Sequence, residues 1–136
     1  MRVVVDANVV VAALMADGTV RDVLLNTTKL DFFAPDYLKA EIARHEARIA
    51  ARAQLDPASV AALLEDVGEA VEFVPRDAYG ERAADGRRLA NQAPAHGDEE
   101  YIALALWLEA PIWCLDNDLR RVRQLRVLST SEVDEL

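Results

Sequence analysis

Residues 1–14, MRVVVDANVVVAAL, and residues 111–118, PIWCLDND, decide how this chain is read. In the first stretch, residues 3–5 are a β-branched run with no polar member, the composition of a strand buried on both faces of a parallel sheet. Asp6 ends that run. Residues 8–15 follow without the alternation of a half-buried strand, which predicts a helix packed on the sheet. The second stretch repeats the arrangement: residues 111–115 read as a strand, and Asp116 and Asp118 come directly after it. In open parallel sheets the functional crevice lies outside the carboxyl ends of the strands. If the two strands are neighbours, Asp6, Asp116 and Asp118 therefore converge at one edge.

The chain between these stretches alternates helix and strand signals. Asp17 or Thr19 is available as the N-cap of a helix running to about Asn26, and residues 29–34 read as a short strand. Residues 37–54 carry one long helical pattern. Asp56-Pro57 supplies an N-cap and a first-turn proline for a helix ending near Gly68. Residues 71–74 form a third strand closed by Pro75, residues 76–92 are helical, and residues 93–97 make a loop. Asp98 is placed to cap a helix over residues 99–108, and residues 126–128 complete the set as a fifth strand. This order predicts an α/β sandwich with a mostly parallel sheet and right-handed crossovers.

The 136 residues, 52% hydrophobic and 29% charged, match the size of one globular domain spanning residues 1–136. No repeat or low-complexity stretch divides it. A lone cysteine, Cys114, cannot form an internal disulfide, and no apolar run approaches the roughly 20 residues that span a bilayer, so a cytoplasmic protein with no membrane role is expected. The net charge of −9 excludes nucleic-acid binding driven by a global positive field. Local basic patches remain open: Arg44, Arg48 and Arg52 share helical spacing, Arg87 and Arg88 adjoin, and Arg120, Arg121, Arg123 and Arg126 cluster. Such runs serve either as solvated helix faces or as grips for a phosphate backbone.

Two further acids sit on helices: Glu41 in DYLKAEIARH, and Asp98 at the start of DEEYIALALWL. Clustered carboxylates repel, and holding several together requires a cation or shifted pKa values. Hard oxygen ligands with room for water suit Mg²⁺ or Mn²⁺, the apparatus of metal-assisted phosphodiester cleavage. Each acid also has a plain structural reading: Asp6 and Asp98 as helix caps, Glu41 as an exposed helix residue, Asp118 as a turn residue. Asn8 either hydrogen-bonds Asp6 or a metal water, or makes a local capping contact. His45 lies one helical turn beyond Glu41, and His96 precedes Asp98; no Cys/His spacing makes a zinc site, and no glycine-rich phosphate loop is present. A dehalogenase-like phosphatase would need a second acid where Asn8 stands, and a receiver domain would need a late lysine, whereas the only lysines are Lys29 and Lys39.

Taken in order, VVVDANVVVAAL, APDYLKAEIARH, DEEYIALALWLEAPIWCLDND and RVLST resemble the PIN domain, the fold of metal-dependent ribonucleases that includes the VapC-type toxins. The resemblance implies a three-layer sandwich with five strands in the order 3-2-1-4-5, which makes the first and fourth strands neighbours. It implies a catalytic set of Asp6, Glu41, Asp98 and Asp116, with Asp6, Asp98, Asp116 and Asp118 around Mg²⁺ or Mn²⁺. It also implies an RNA substrate, an antitoxin partner and a homodimer. Asn8, Arg120 and Arg121 are the candidate substrate contacts. Cys114 stands where the family has Thr or Ser, and Glu99 and Glu100 adjoin Asp98, leaving open which of the three faces the site. A non-catalytic PIN-like module binding RNA or protein is the competing expectation.

Overall fold

The computed structural model describes residues 1–92 and 98–136. Strand β1 (Arg2–Val5) lies at the centre of a five-stranded sheet in the order β3-β2-β1-β4-β5, where β2 is Asp31–Pro35, β3 Val71–Val74, β4 Ile112–Trp113 and β5 Val127–Leu128. Every pairing is parallel. Val3, Val4 and Val5 are each 0% exposed, as expected of a strand covered on both faces. Full burial of each such side chain contributes on the order of 1.5–3 kcal/mol.

The strand order fixes the layers. From β1 the chain steps to β2 and then β3 in one direction, and from β3 it returns past β2 and β1 to β4. Right-handed crossovers then require the helices of the outward and return journeys to lie on opposite faces. The outward helices are α1 (Ala7–Met15), α2 (Thr19–Asn26), α3 (Tyr37–Arg44), α4 (Glu46–Ala53) and α5 (Pro57–Ala70), and α1 packs against α2, α4 and α5. The return helices are α6 (Arg76–Tyr79), α7 (Ala83–Ala90) and α8 (Glu99–Leu108). Helix α8 lies across β1, β2 and β4 with α7 outside it, which explains why its buried residues run around the helix rather than along one stripe. A last helix, α9 (Thr130–Asp134), packs on α2 and β5.

The strands, their order and the Asp56 cap agree with the sequence reading; the Asp56 carboxylate accepts from the Ser59 amide at 2.7 Å. Several details differ. The helix over residues 37–54 is two helices broken at His45, whose φ of −107° and ψ of 9° leave the helical basin. No proline or glycine marks the break; the change of direction is one that lets α4 reach α1, a tertiary demand with no local signature. Helix α2 is preceded by Gly18 at the N-cap, and neither Asp17 nor Thr19 caps it. The stretch 76–92 is divided by a 3-10 turn at Gly80–Arg82. Strand β4 is shorter than residues 111–115, because Leu115 already turns outward at 44% exposure. Helix α9 lies beyond the elements expected from the pattern, although Ser129 and Glu132 form a capping box that the sequence spells out.

Helices α7 and α8 approach unusually closely at Gly86. A Cβ there would stand 2.5 Å from the Glu99 carbonyl oxygen and 3.0 Å from the Ala103 Cβ, so the glycine sets how near α7 lies to the first turn of α8. Gly86→Ala is expected to cost about 1–3 kcal/mol by overpacking, despite the better helix propensity of alanine. Urea unfolding followed by circular dichroism checks this; an unchanged or raised midpoint would show that the helices separate freely.

Candidate active site

The order of strands reverses between β1 and β4, and open α/β sheets bind ligands at that switch point. The pairing places Val4 beside Ile112 and Val5 beside Trp113, and the Asp6 amide continues it by donating to the Trp113 carbonyl at 3.0 Å. Asp6 thus leaves the sheet next to Cys114. Among the described residues Asp6 is the buried charged residue, 3% exposed, and the Cys114 thiol donates to its Oδ2 at 3.5 Å. Burial raises the Asp6 pKa above the ordinary carboxylate value, and the charge of Asp116 adds to it, while the thiol contact acts the other way. Cys114 itself is pushed up to about 12, first by burial and then by the Asp6 carboxylate, so it stands as a protonated donor at neutral pH. Trp113 anchors this edge, its indole N–H donating to Thr130 Oγ1 at 3.1 Å and its ring tilted against Phe32 at 5.6 Å.

A cleft of about 910 Å³ opens at this edge, and Asp6, Glu41, Asp98, Asp116 and Asp118 all line it. Asp116 accepts from the Asp118 amide at 3.0 Å, the turn that directs the chain after β4 into a 3-10 segment at Asp118–Arg121. Asp98 occupies the N-cap position of α8 but makes no side-chain cap bond, so its carboxylate is not spent on the helix. Its pKa is raised to about 7, by burial first and then by the charges of Asp6, Asp116, Glu99 and Asp118. Glu41 reaches the cleft from α3, with an ion pair to Arg44 at 3.5 Å.

Asn8 also lines the cleft, and so do both Glu99 and Glu100 beside Asp98. Glu100 differs from its neighbours in accepting an ion pair from Arg76 at 3.5 Å. Arg120 and Arg121 lie outside the cleft lining: they belong to the turn after Asp118, and Arg120 pairs with Glu132 in the cap of α9. His45 is exposed at the α3–α4 break and does not line the cleft, while His96 falls outside the described residues.

Sequence reasoning passed over four other residues of the cleft. Tyr37, Tyr79, Tyr101 and Arg76 line it together with the acids; Tyr37 and Tyr101 meet edge to face at 5.8 Å. Burial raises all three phenols, Tyr37 to about 12 and the other two further, so they remain neutral. The only advance signal is position: Tyr37 and Arg76 each follow closely on a strand end, as Asp6 does.

Among the described residues no three acidic, histidine or cysteine side chains are gathered at metal-ligand geometry. The donor set nonetheless fits Mg²⁺ or Mn²⁺. It is all oxygen and negatively charged, its repulsion is recorded in the raised Asp98 and Asp6 pKa values, and Mg²⁺ keeps several waters while taking only one or two carboxylates directly.

Residues 4–133 match the sequence profile of a family described as PIN domain. No curated protein matches the chain significantly. Among solved structures, a chain in the crystal structure of VapBC2 from Rickettsia felis, bound to a DNA fragment from their promoter, superposes with a TM-score of 0.69 at 14% identity, covering 95% of this chain and 98% of that one. At that identity the likeness is one of fold.

The Asp98 shift has a stability consequence. Its folded pKa of about 7 lies above the ordinary 3.8, so between those values the folded state holds more proton than the unfolded, and stability falls as pH rises through that window. In EDTA, the melting temperature is expected to drop between about pH 4 and about pH 7. Asp98→Asn should flatten that drop, and Mg²⁺ should raise the melting temperature more at the higher pH. Scanning fluorimetry reads all three; a wild-type profile identical to that of Asp98→Asn would remove the carboxylate repulsion.

Proposed function

Since the chain belongs to the PIN domain family, we propose that it is a metal-dependent endoribonuclease that hydrolyses RNA phosphodiester bonds and acts as the toxin of a toxin–antitoxin pair. The observation that carries this reading is the acidic cleft at the β1–β4 switch point, where Asp98 is raised to about 7 by burial and the surrounding carboxylates. An anionic site of that kind accepts an anionic RNA only with a cation between them. The DNA-bound VapBC2 complex that contains a chain of the same fold supports the toxin–antitoxin setting.

In this mechanism Asp6, Asp98 and Asp116 hold Mg²⁺ or Mn²⁺, directly or through water, and Asp118 and Glu41 complete the acidic pocket. The bound ion supplies positive charge for the phosphate and acidity for water. Asp6 is the rigid member, because the buried run Val3–Val5 ends at its backbone and the Cys114 thiol orients its Oδ2. That thiol supplies a donor where the family has a hydroxyl, weaker but directed at the same kind of group, which favours a working nuclease over a purely binding module. Asn8, on the cleft wall, orients polar groups of the substrate. Water adds to phosphorus, the bond to the leaving ribose oxygen breaks, and that oxygen takes up a proton, giving one phosphomonoester end and one hydroxyl end.

Purified protein with labelled RNA is expected to cut in Mg²⁺ or Mn²⁺ and not in EDTA. Asp6→Asn and Asp116→Asn should each lower the rate by at least about 10²-fold while the proteins stay folded. Expression of the wild type should arrest growth, and Asp6→Asn should relieve the arrest. Absence of metal-dependent cleavage across several RNAs would leave the binding module as the better reading, and harmless wild-type expression would remove the toxin role.

A further inference from the structure

We propose that Arg76 and Arg87 form a track for the phosphates of single-stranded RNA that flank the cleaved one, leading the strand out of the acidic cleft across the first turn of α8 toward α7. This inference rests on the nuclease reading and names how that site takes its substrate.

Among the described residues, the cleft carries its one cation toward one end. Along the carboxyl edge of the sheet, Asp116 and Asp118 follow β4, Asp6 follows β1 and Asp36 follows β2, while Arg76 follows β3, two strands from Asp6. Two strand spacings amount to roughly 10 Å, so Arg76 stands beside a flanking phosphate rather than the one over Asp6. Among the described residues lining the cleft, Arg76 is the sole lysine or arginine. It is held in place without being neutralised from all sides: its Nε meets Glu100 Oε1 at 3.5 Å, and the side chain is 61% exposed. The outer guanidinium nitrogens, which make planar paired contacts to phosphate, are the part left to face a ligand.

A second observation extends the path. A smaller hollow of about 290 Å³ shares Arg76, Glu99 and Glu100 with the cleft and continues past them to Arg87 on α7. On that helix Asp85 takes both Arg82, at 3.1 Å, and Arg88, at 3.4 Å. Arg87 has no ion pair among the described residues. Two arginines thus line consecutive hollows. On the far side of the acids, Arg120 is already committed to Glu132. Phosphate contacts of this kind position a strand without reading its sequence, and they must lie to one side of the scissile bond because the cleft centre is acidic.

The test is steady-state cleavage of a labelled single-stranded RNA of mixed sequence in Mg²⁺, across a range of KCl concentrations. Arg76→Ala and Arg87→Ala are each expected to raise KM about 5–10-fold with kcat within about twofold, and to flatten the salt dependence of kcat/KM by about 0.7 per lost phosphate contact. Arg76→Lys should keep the salt slope. Arg88→Ala removes the same charge from the same helix, away from the hollows, and should change neither KM nor slope. Wild-type cleavage with Arg76→Ala and Arg87→Ala unchanged, or with Arg88→Ala affected equally, overturns the track while leaving the nuclease intact. A wild type that does not cleave overturns the nuclease reading and the track with it. Circular dichroism of each variant separates lost contacts from lost fold.

Discussion

The parallel pairing of β1 with β4 is the constraint on which the rest depends. Three consecutive valines with no exposure fix β1 in the middle of the sheet, and the Asp6 amide extends the ladder to the Trp113 carbonyl. A strand buried on both faces has no freedom to adjust its end, so the carboxylate that terminates it is placed as rigidly as the core itself. The reversal of strand order at the same point opens the crevice into which that carboxylate faces. Packing at the centre of the sheet and chemistry at its edge are therefore one structural fact.

That placement is unfavourable to the isolated chain. Burial and mutual repulsion raise Asp6 and Asp98, and Asp98 spends none of its carboxylate on capping α8. Strain of this kind is stable only when surrounding structure overdetermines it, here the sheet on one side and the close α7–α8 contact at Gly86 on the other. A divalent cation is the natural relief, and in the proposed mechanism it is also the means by which an acidic protein receives an acidic polymer. The net charge of −9 and an RNA substrate are compatible on that condition, helped in the proposed track by Arg76 in the cleft and Arg87 in the adjoining hollow.

Much of this was legible in the residues themselves. A β-branched run closed by Asp6, the repeat of that arrangement before Asp116, and the alternation of strand and helix signals pointed to a parallel α/β sheet with acids at its carboxyl edge. These features are local: composition, spacing and the two periodicities carry them. Glu41 and Asp98 stood out as helix-borne acids, and the likeness of four segments to the PIN domain added the strand order and the expectation that those two join the others at the cleft.

Other features depended on contacts between distant parts of the chain. The helix break at His45 answers to the docking of α4 on α1, not to any helix-breaking residue. Cys114 reads as a departure in sequence, yet in space it is a donor to Asp6, a contact made across 108 positions by strand register. Arg76 and Arg87 look like any other arginines among thirteen; only the fold sets one over the cleft, leaves the other without an ion pair among the described residues, and commits Arg88 to Asp85. By itself the sequence determined which segments must be buried and where their charged ends fall, because hydrophobic periodicity is written residue by residue. The tertiary structure decided which charges meet, because the distance between two side chains is set by the packing of everything between them.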